Sequence, residues 1–307
     1  MDPITRFIYA TSGGAKGPFD CDFLVIAGGG SQGSGTAWQI GGGGAGGYLT
    51  SWDAGGSQYS GGNSTAASPL LLAVNTTYSI TVGAAAQYAG SNGSDSIFQG
   101  IDSNGVNFLI STTGGGRGGA QSQGYQGGSG GGGGAVHNQG YGGGNPVNGQ
   151  GNPGGTGQSQ NTNSYYCSVY GAGGGYCNPT QNGTAGGGGA GGIGGTSWTG
   201  GVGGHGQRST ITGSEVYRAS GGHGYSYTNG FPGGYQNING YQSDGSGGNV
   251  NGASAKNGRI YLRYPSRYTL TNPGGGLTFQ SGWTGGYTST TENCTEILSG
   301  SGNIQFE

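Results

Sequence analysis

Residues 21–35 read CDFLVIAGGGSQGSG, an apolar run that breaks into Gly28-Gly29-Gly30-Ser31-Gln32-Gly33. The spacing is G-x-G-x-x-G after a strand, with which dinucleotide folds hold a pyrophosphate on the free N–H groups of a helix N-terminus. That helix is missing from the sequence. Residues 34–40 are SGTAWQI and 41–47 are GGGGAGG, and each glycine inside a helix costs about 0.8–1 kcal/mol relative to alanine. Asp53 stands where a ribose-binding acid would, but without the helix the spacing carries no weight. No nucleotide or other cofactor is expected. Nor is a metal site: His137, His205 and His223 stand apart in glycine-rich surroundings, and Cys21, Cys167, Cys177 and Cys294 form no C-x-x-C pair. Cys167 and Cys177 either close a loop as a disulfide, if the mature protein is extracellular, or stay as two free thiols in a reducing cytosol. Three histidines are a poor supply for an acyl-transfer triad. Asp53, Asp95, Asp102, Asp244, Glu215, Glu292 and Glu296 could supply a glycosidase pair, yet no segment sets two acids in an aromatic-lined frame, and Asp95 and Asp102 sit among Ser, Asn and Gly as turn formers do. The reading is non-enzymatic.

The elements that position these residues follow from composition. Glycine supplies 84 of 307 residues, against 20 Tyr, 8 Phe, 4 Trp and a net charge of −2. Disordered chains are usually charged and poor in aromatics, so the aromatics argue for a packed object. Nine basic residues, scattered, make no stripe for phosphates, and no apolar run approaches a membrane span, so neither nucleic acid nor membrane insertion is expected. Collagen fails because the glycines come in clumps (41–44, 130–134, 186–189) without a third-position rule. Glycine in three-residue-per-turn extended helices has no internal hydrogen bonds, so its N–H and C=O groups must bond to neighbouring chains once buried. Parallel and antiparallel runs then make a hexagonal bundle whose core is backbone. Strand-like segments interrupt the runs at 23–27, 78–82, 96–98, 107–111 and 259–264. FLVIA and IYLRY suit pairing that closes the region into one unit, with a small apolar core at one end. Residues 114–255 are expected to be ordered without helix or conventional sheet. After Pro265, four short strands (268–271, 277–280, 296–298, 303–306) read as a separate module.

FLVIAGGG, GGGGAGGYLTS, YSITVGAAA, GSDSIF, GGSGGGGG, AGGGGAGGIGG and the closing GRIYLRYP, in that order, resemble the glycine-rich domain of bacteriophage tail-fibre and related virion proteins, over about residues 20–265. More loosely, the chain resembles the receptor-recognising adhesins of T-even-like phages, whose glycine-rich part is a polyglycine-II bundle carrying variable loops. Polar and aromatic insertions such as NTNSYYCSVY and GYSYTNGFPGGYQNINGY interrupt the runs here. The expected fold is irregular all-β: a polyglycine-II helix bundle with short β-strands over 21–265, a docking segment over 1–20, a small C-terminal β module over 266–307, and essentially no α-helix. The resemblance implies a virion protein, a distal tail-fibre or adhesin component. Its partners would be other virion fibre proteins and a host cell-surface receptor, a glycan or an outer-membrane protein. The chain begins close to its glycine-rich region, so it is expected to dock on another protein, as a homotrimer or as one copy on a trimeric shaft, through 1–20 and 266–307. Receptor contacts are expected from Tyr165, Tyr166, Tyr170, Tyr176, Trp198, Tyr225, Tyr227, Phe231, Tyr235 and Tyr241, which lie in Tyr/Ser/Gly/Asn loops of paratope-like composition. The same rings also suit a shielding role over glycine faces. An architectural role in capsid, neck fibre or decoration is the second reading. A freestanding ice-binding or wall protein, which would need a flat face of repeated small residues, is the third.

Overall fold

The computed structural model describes residues 16–35, 39–53, 58–136, 139–157, 184–195, 201–224, 243–250, 254–281 and 289–307. The fold is nearly all β, with 35% strand, 2% helix and, among the described residues, no helix of seven residues or more. The strands are β1 (Phe19–Ile26), β2 (Tyr48–Thr50), β3 (Tyr59–Ser60), β4 (Ser64–Thr65), β5 (Leu70–Leu72), β6 (Tyr78–Val82), β7 (Ser96–Ile101) and β8 (Asn107–Thr112). They continue with β9 (Ala135–Val136), β10 (Gln139–Gly140), β11 (Gln207–Ser209), β12 (Val216–Arg218), β13 (Arg259–Pro265), β14 (Leu270–Thr271), β15 (Leu277–Ser281) and β16 (Glu292–Phe306).

Ten strands form one nearly closed antiparallel sheet, in the order β2-β1-β13-β16-β6-β7-β8, with β5 on β1 and both β14 and β15 on β16. FLVIA and IYLRY do pair, Val25 opposite Ile260 and Leu24 opposite Tyr261. Alternation decides which side chains enter the core. In β6, Tyr78, Ile80 and Val82 point inward while Ser79 and Thr81 are half-buried. Phe19, Phe23, Val25, Phe98, Leu262, Ile304 and Phe306 join them in the main core. The other face of β1 and β13 carries Leu24, Ile26 and Tyr261, packed with Tyr48, Ile211 and Ala219.

The C-terminal segment departs from the expectation in two ways. Residues 296–298 and 303–306 are one continuous strand, β16, rather than two strands about a turn at SGSG. Gly300 permits this: its φ is 102°, and a Cβ there would lie 2.0 Å from the Gly276 carbonyl oxygen. At that point β16 passes from pairing with β13 (up to Ile297) to pairing with β6 (from Gly300). As a result 266–307 is not set apart: β16 runs through the middle of the sheet, between β13 and β6.

Where the strands stop, the glycine runs begin. β1 runs into 27–33, residues 41–47 run into β2, and β8 runs into 113–119. Backbone bonds around 41–47 repeat every three residues. The N–H groups of Gly41, Gly44 and Gly47 donate to the carbonyls of Gly119, Gly116 and Thr113; those of Gly42 and Ala45 donate to Ala185 and Gly188; those of Gly43 and Gly46 donate to Gly248 and Gly245. In return Gly41, Gly44 and Gly47 accept from Gly33, Gly30 and Ala27, Gly42 and Ala45 accept from Gly132 and Ser129, and Gly43 accepts from Gly222. Six segments of chain thus surround one run, bonded at 2.7–3.0 Å. Glycine is required here by proximity: a Cβ at Gly28, Gly43, Gly46 or Gly187 would fall 1.9–2.1 Å from a neighbouring carbonyl oxygen. Within 114–255 the described residues add two short hairpins, β9–β10 and β11–β12, to this pattern, so two-stranded pairing does occur where none was expected.

Side-chain oxygens take over where a backbone neighbour is missing. Asn92 and Asp95, three residues apart, accept the N–H groups of Arg117 and Gly114, also three apart, at 2.9 and 2.8 Å. Gln150 accepts from Thr113 through Oε1 and donates to the Ser111 carbonyl through Nε2. Asn249 accepts from His223 and Asn257 from Ala85. Asp95 therefore satisfies a backbone donor instead of forming a turn, whereas Asp102 is a turn former, accepting from Asn104 and Val106.

Candidate recognition surface

The nucleotide-like motif has a different use. The N–H groups of Gly28, Gly29, Gly30, Ser31 and Gly33 donate to Ser94, Lys256, Gly44, Ser91 and Gly41. They are committed to neighbouring segments of the chain and are not free donors for a phosphate.

Two groups of chemistry-bearing side chains are brought together. The first lies on the face of the sheet covered by the β11–β12 hairpin. Tyr261 donates its hydroxyl to Asp244 Oδ2 at 2.7 Å and to Glu296 at 3.3 Å, and accepts from Arg218 Nε at 3.1 Å. Arg259 holds Asp244 Oδ1 at 3.0 Å and Glu296 at 3.3 Å. Beside them Arg263 pairs with Glu292, donates to the Ile211 carbonyl and lies 3.9 Å from the ring centre of Trp52. Trp52 in turn donates its indole N–H to Thr210. Burial, with Asp244 and Glu296 nearby, raises the Tyr261 hydroxyl pKa well above its ordinary value and keeps it a hydrogen-bond donor. Three of the seven carboxylates that the sequence offers for acid–base work, Asp244, Glu292 and Glu296, are engaged here with guanidinium groups. The arrangement is a clamp that fixes the hairpin and residues 243–250 to the sheet; its three arginines and three acids balance, so the buried charges are paired.

The second group lines an open groove of about 720 Å³ formed by 121–126 and 139–145. Its walls carry Gln121, Gln123, Tyr125, Gln126, Gln139, Tyr141 and Asn145, with Gly124, Gly143 and Gly144 between them. The Arg117 guanidinium lies 3.6 Å from the centre of the Tyr125 ring, and the ring remains accessible, the residue being 43% exposed. Uncharged amides, the Ser122 hydroxyl and two tyrosines on glycine-run backbone line this groove, with no Asp, Glu, His, Lys or Arg among its lining residues.

Tyr165, Tyr166, Tyr170, Tyr176, Trp198, Tyr225, Tyr227, Phe231, Tyr235, Tyr241, Cys167 and Cys177 lie outside the described residues. Tyr125 and Tyr141 are not among the residues expected from the sequence to bind, although QSQGYQ at 121–126 has the same Tyr-plus-amide character between two glycine clumps. Cys21 and Cys294 are buried free thiols. Among the described residues there is no group of three or more His, Cys, Asp or Glu that could hold a metal, and no helix long and apolar enough to cross a membrane. Comparison with known protein families, curated proteins and solved structures yields no match.

Proposed function

We propose that this chain is a bacteriophage virion protein, a distal tail-fibre or adhesin component that presents aromatic-polar surfaces to a receptor on the host cell. The observation that carries the reading is the three-residue hydrogen-bond period about 41–47 with six surrounding segments, which is what a bundle of polyglycine-II helices requires. Such a bundle is held by backbone bonds, which leaves the polar and aromatic side chains at its margin free to vary and to bind. The groove of Tyr125 and Tyr141 fits that use, as does the composition of the insertions NTNSYYCSVY and GYSYTNGFPGGYQNINGY.

Polarity follows from the strand ends. The glycine runs leave one end of the sheet. The other end holds Lys16 and Gly17, the 102–106 turn and the Thr269–Glu307 backbone pair. We assign that second end to docking on another virion fibre protein, as a homotrimer or as one copy on a trimeric shaft. Exposed Ile101, Val106 and Leu109, all on the β7–β8 hairpin, support this assignment. An antibody raised against the chain should label fibre tips in electron micrographs of particles that carry it, and should block their adsorption. Label confined to capsid or neck, with adsorption intact, favours the architectural role instead.

A further inference from the structure

We propose that the groove floored by 121–126 and 139–145 is a binding site for a neutral oligosaccharide, an inference that rests on the receptor-binding role proposed above and names its ligand. Rigidity is the first support. Tyr125 donates its backbone N–H to the Arg117 carbonyl and accepts from Gly131, both at 3.0 Å, while Tyr141 donates to Gly134 at 3.1 Å and accepts from Gly157 at 2.8 Å. Both rings therefore stand on backbone that is part of the hydrogen-bonded bundle, so little conformational entropy is lost when a ligand stacks on them. The Arg117 guanidinium occupies one face of the Tyr125 ring and steadies it.

Chemical fit is the second support. A pyranose carries C–H groups on its faces, which suit the negative face of an aromatic ring, and hydroxyls around its edge, each both donor and acceptor. The glutamine amides in the wall are also both donor and acceptor, and the Gln121 amide is already oriented by a 2.6 Å bond to Gln39 Oε1. No Asp, Glu or Lys lines the groove, and the Arg117 guanidinium beside it is stacked on the Tyr125 ring, so an acidic sugar or a phosphate meets a single guanidinium and no cluster of positive charge.

The test uses the purified full chain on a surface array of neutral tri- to hexasaccharides of hexose and N-acetylhexosamine, printed beside sialylated and phosphorylated counterparts. Binding to one or more neutral oligosaccharides is expected, and titration of that sugar should show at least a ten-fold loss in Tyr125→Leu and in Gln123→Ala. Both variants should keep the wild-type thermal midpoint, since neither removes a backbone bond. Binding to acidic sugars alone, no binding to any neutral sugar, or unchanged affinity in both folded variants overturns the inference. These failures are separable from failure of the receptor-binding role. An antibody that blocks adsorption while the array stays blank leaves that role standing and points to a protein receptor. Sugar binding by a chain located at the neck does the reverse.

Discussion

Replacing Gly43 by alanine is the most direct trial of a core built from backbone. In most settings the change is favourable or mild, because alanine restricts the unfolded chain, a gain of about 0.4–1 kcal/mol where the native conformation tolerates it. At Gly43 the new Cβ would sit 2.1 Å from the Gly30 carbonyl oxygen, whereas real Cβ contacts essentially never fall below 3.0 Å. The two segments must therefore separate by about 0.9 Å, the difference of those two distances. Three bonds run through this contact: Gly43 to Gly248 (2.9 Å), Gly222 to Gly43 (2.8 Å) and Gly248 to Gly30 (2.8 Å). Lengthened by that amount, each passes beyond hydrogen-bonding range. A buried group left without its partner costs about 1–3 kcal/mol, so Gly43→Ala should destabilise the protein by roughly 2–9 kcal/mol if two or three of these bonds fail. Gly142 is the control. A Cβ there meets nothing within 4 Å, and Gly142→Ala should be neutral or stabilising by up to about 1 kcal/mol. Urea titration followed by tyrosine and tryptophan fluorescence measures both. If Gly43→Ala costs less than about 1 kcal/mol, or matches Gly142→Ala, the close backbone packing about 41–47 is not what holds this region together.

His223 links stability to pH. Its burial lowers the imidazole pKa to about 4, against about 6.5 in an unfolded chain, so between those values the unfolded state binds a proton that the folded state refuses. Stability from this group is complete above pH 6.5 and falls as the pH drops towards 4, by about 3.5 kcal/mol at 1.4 kcal/mol per unit; the pH dependence of the thermal midpoint should be the same for wild type and His223→Asn above pH 7 and diverge across that window. Burial raises the Cys294 thiol to about 12 and drives Cys21 well above its ordinary value. Iodoacetamide at pH 8 should therefore leave both peptides unmodified in the folded protein and label them in 6 M guanidinium, as mass spectrometry will report. Gln150→Leu removes the amide that accepts from Thr113 and donates to Ser111; a loss of about 1–3 kcal/mol is expected, with faster amide exchange at Thr113, and unchanged exchange there would mean that water serves the edge equally well.

The sequence by itself determined the elements whose information is local. Alternation in YSITV marked β6 at its observed bounds, β-branched and aromatic runs marked the cores of β1, β7, β8 and β13, and the density of glycine excluded long helices. It also indicated that backbone groups in the glycine runs would seek partners outside their own segment, because glycine in extended helices has none within it. What it left open was which segment bonds to which. One glycine run looks like any other, so the runs carry no register of their own. Register comes from the strands that feed them, as β1 and β13 do when Ile26 meets Arg259, and from single side chains such as Asn92, Asp95 and Gln150 that close the margins. Gly300 read as a turn because a glycine in SGSG usually is one; only the neighbouring Gly276 carbonyl, distant in chain direction though near in space, makes it a point where one strand changes partners. The Tyr125 groove was hidden for a similar reason. Its two walls, 121–126 and 139–145, become one surface only when Gly124 bonds to Gly142 and Gly144 to Gly131, and those bonds are decided by the tertiary packing of chemically identical glycines.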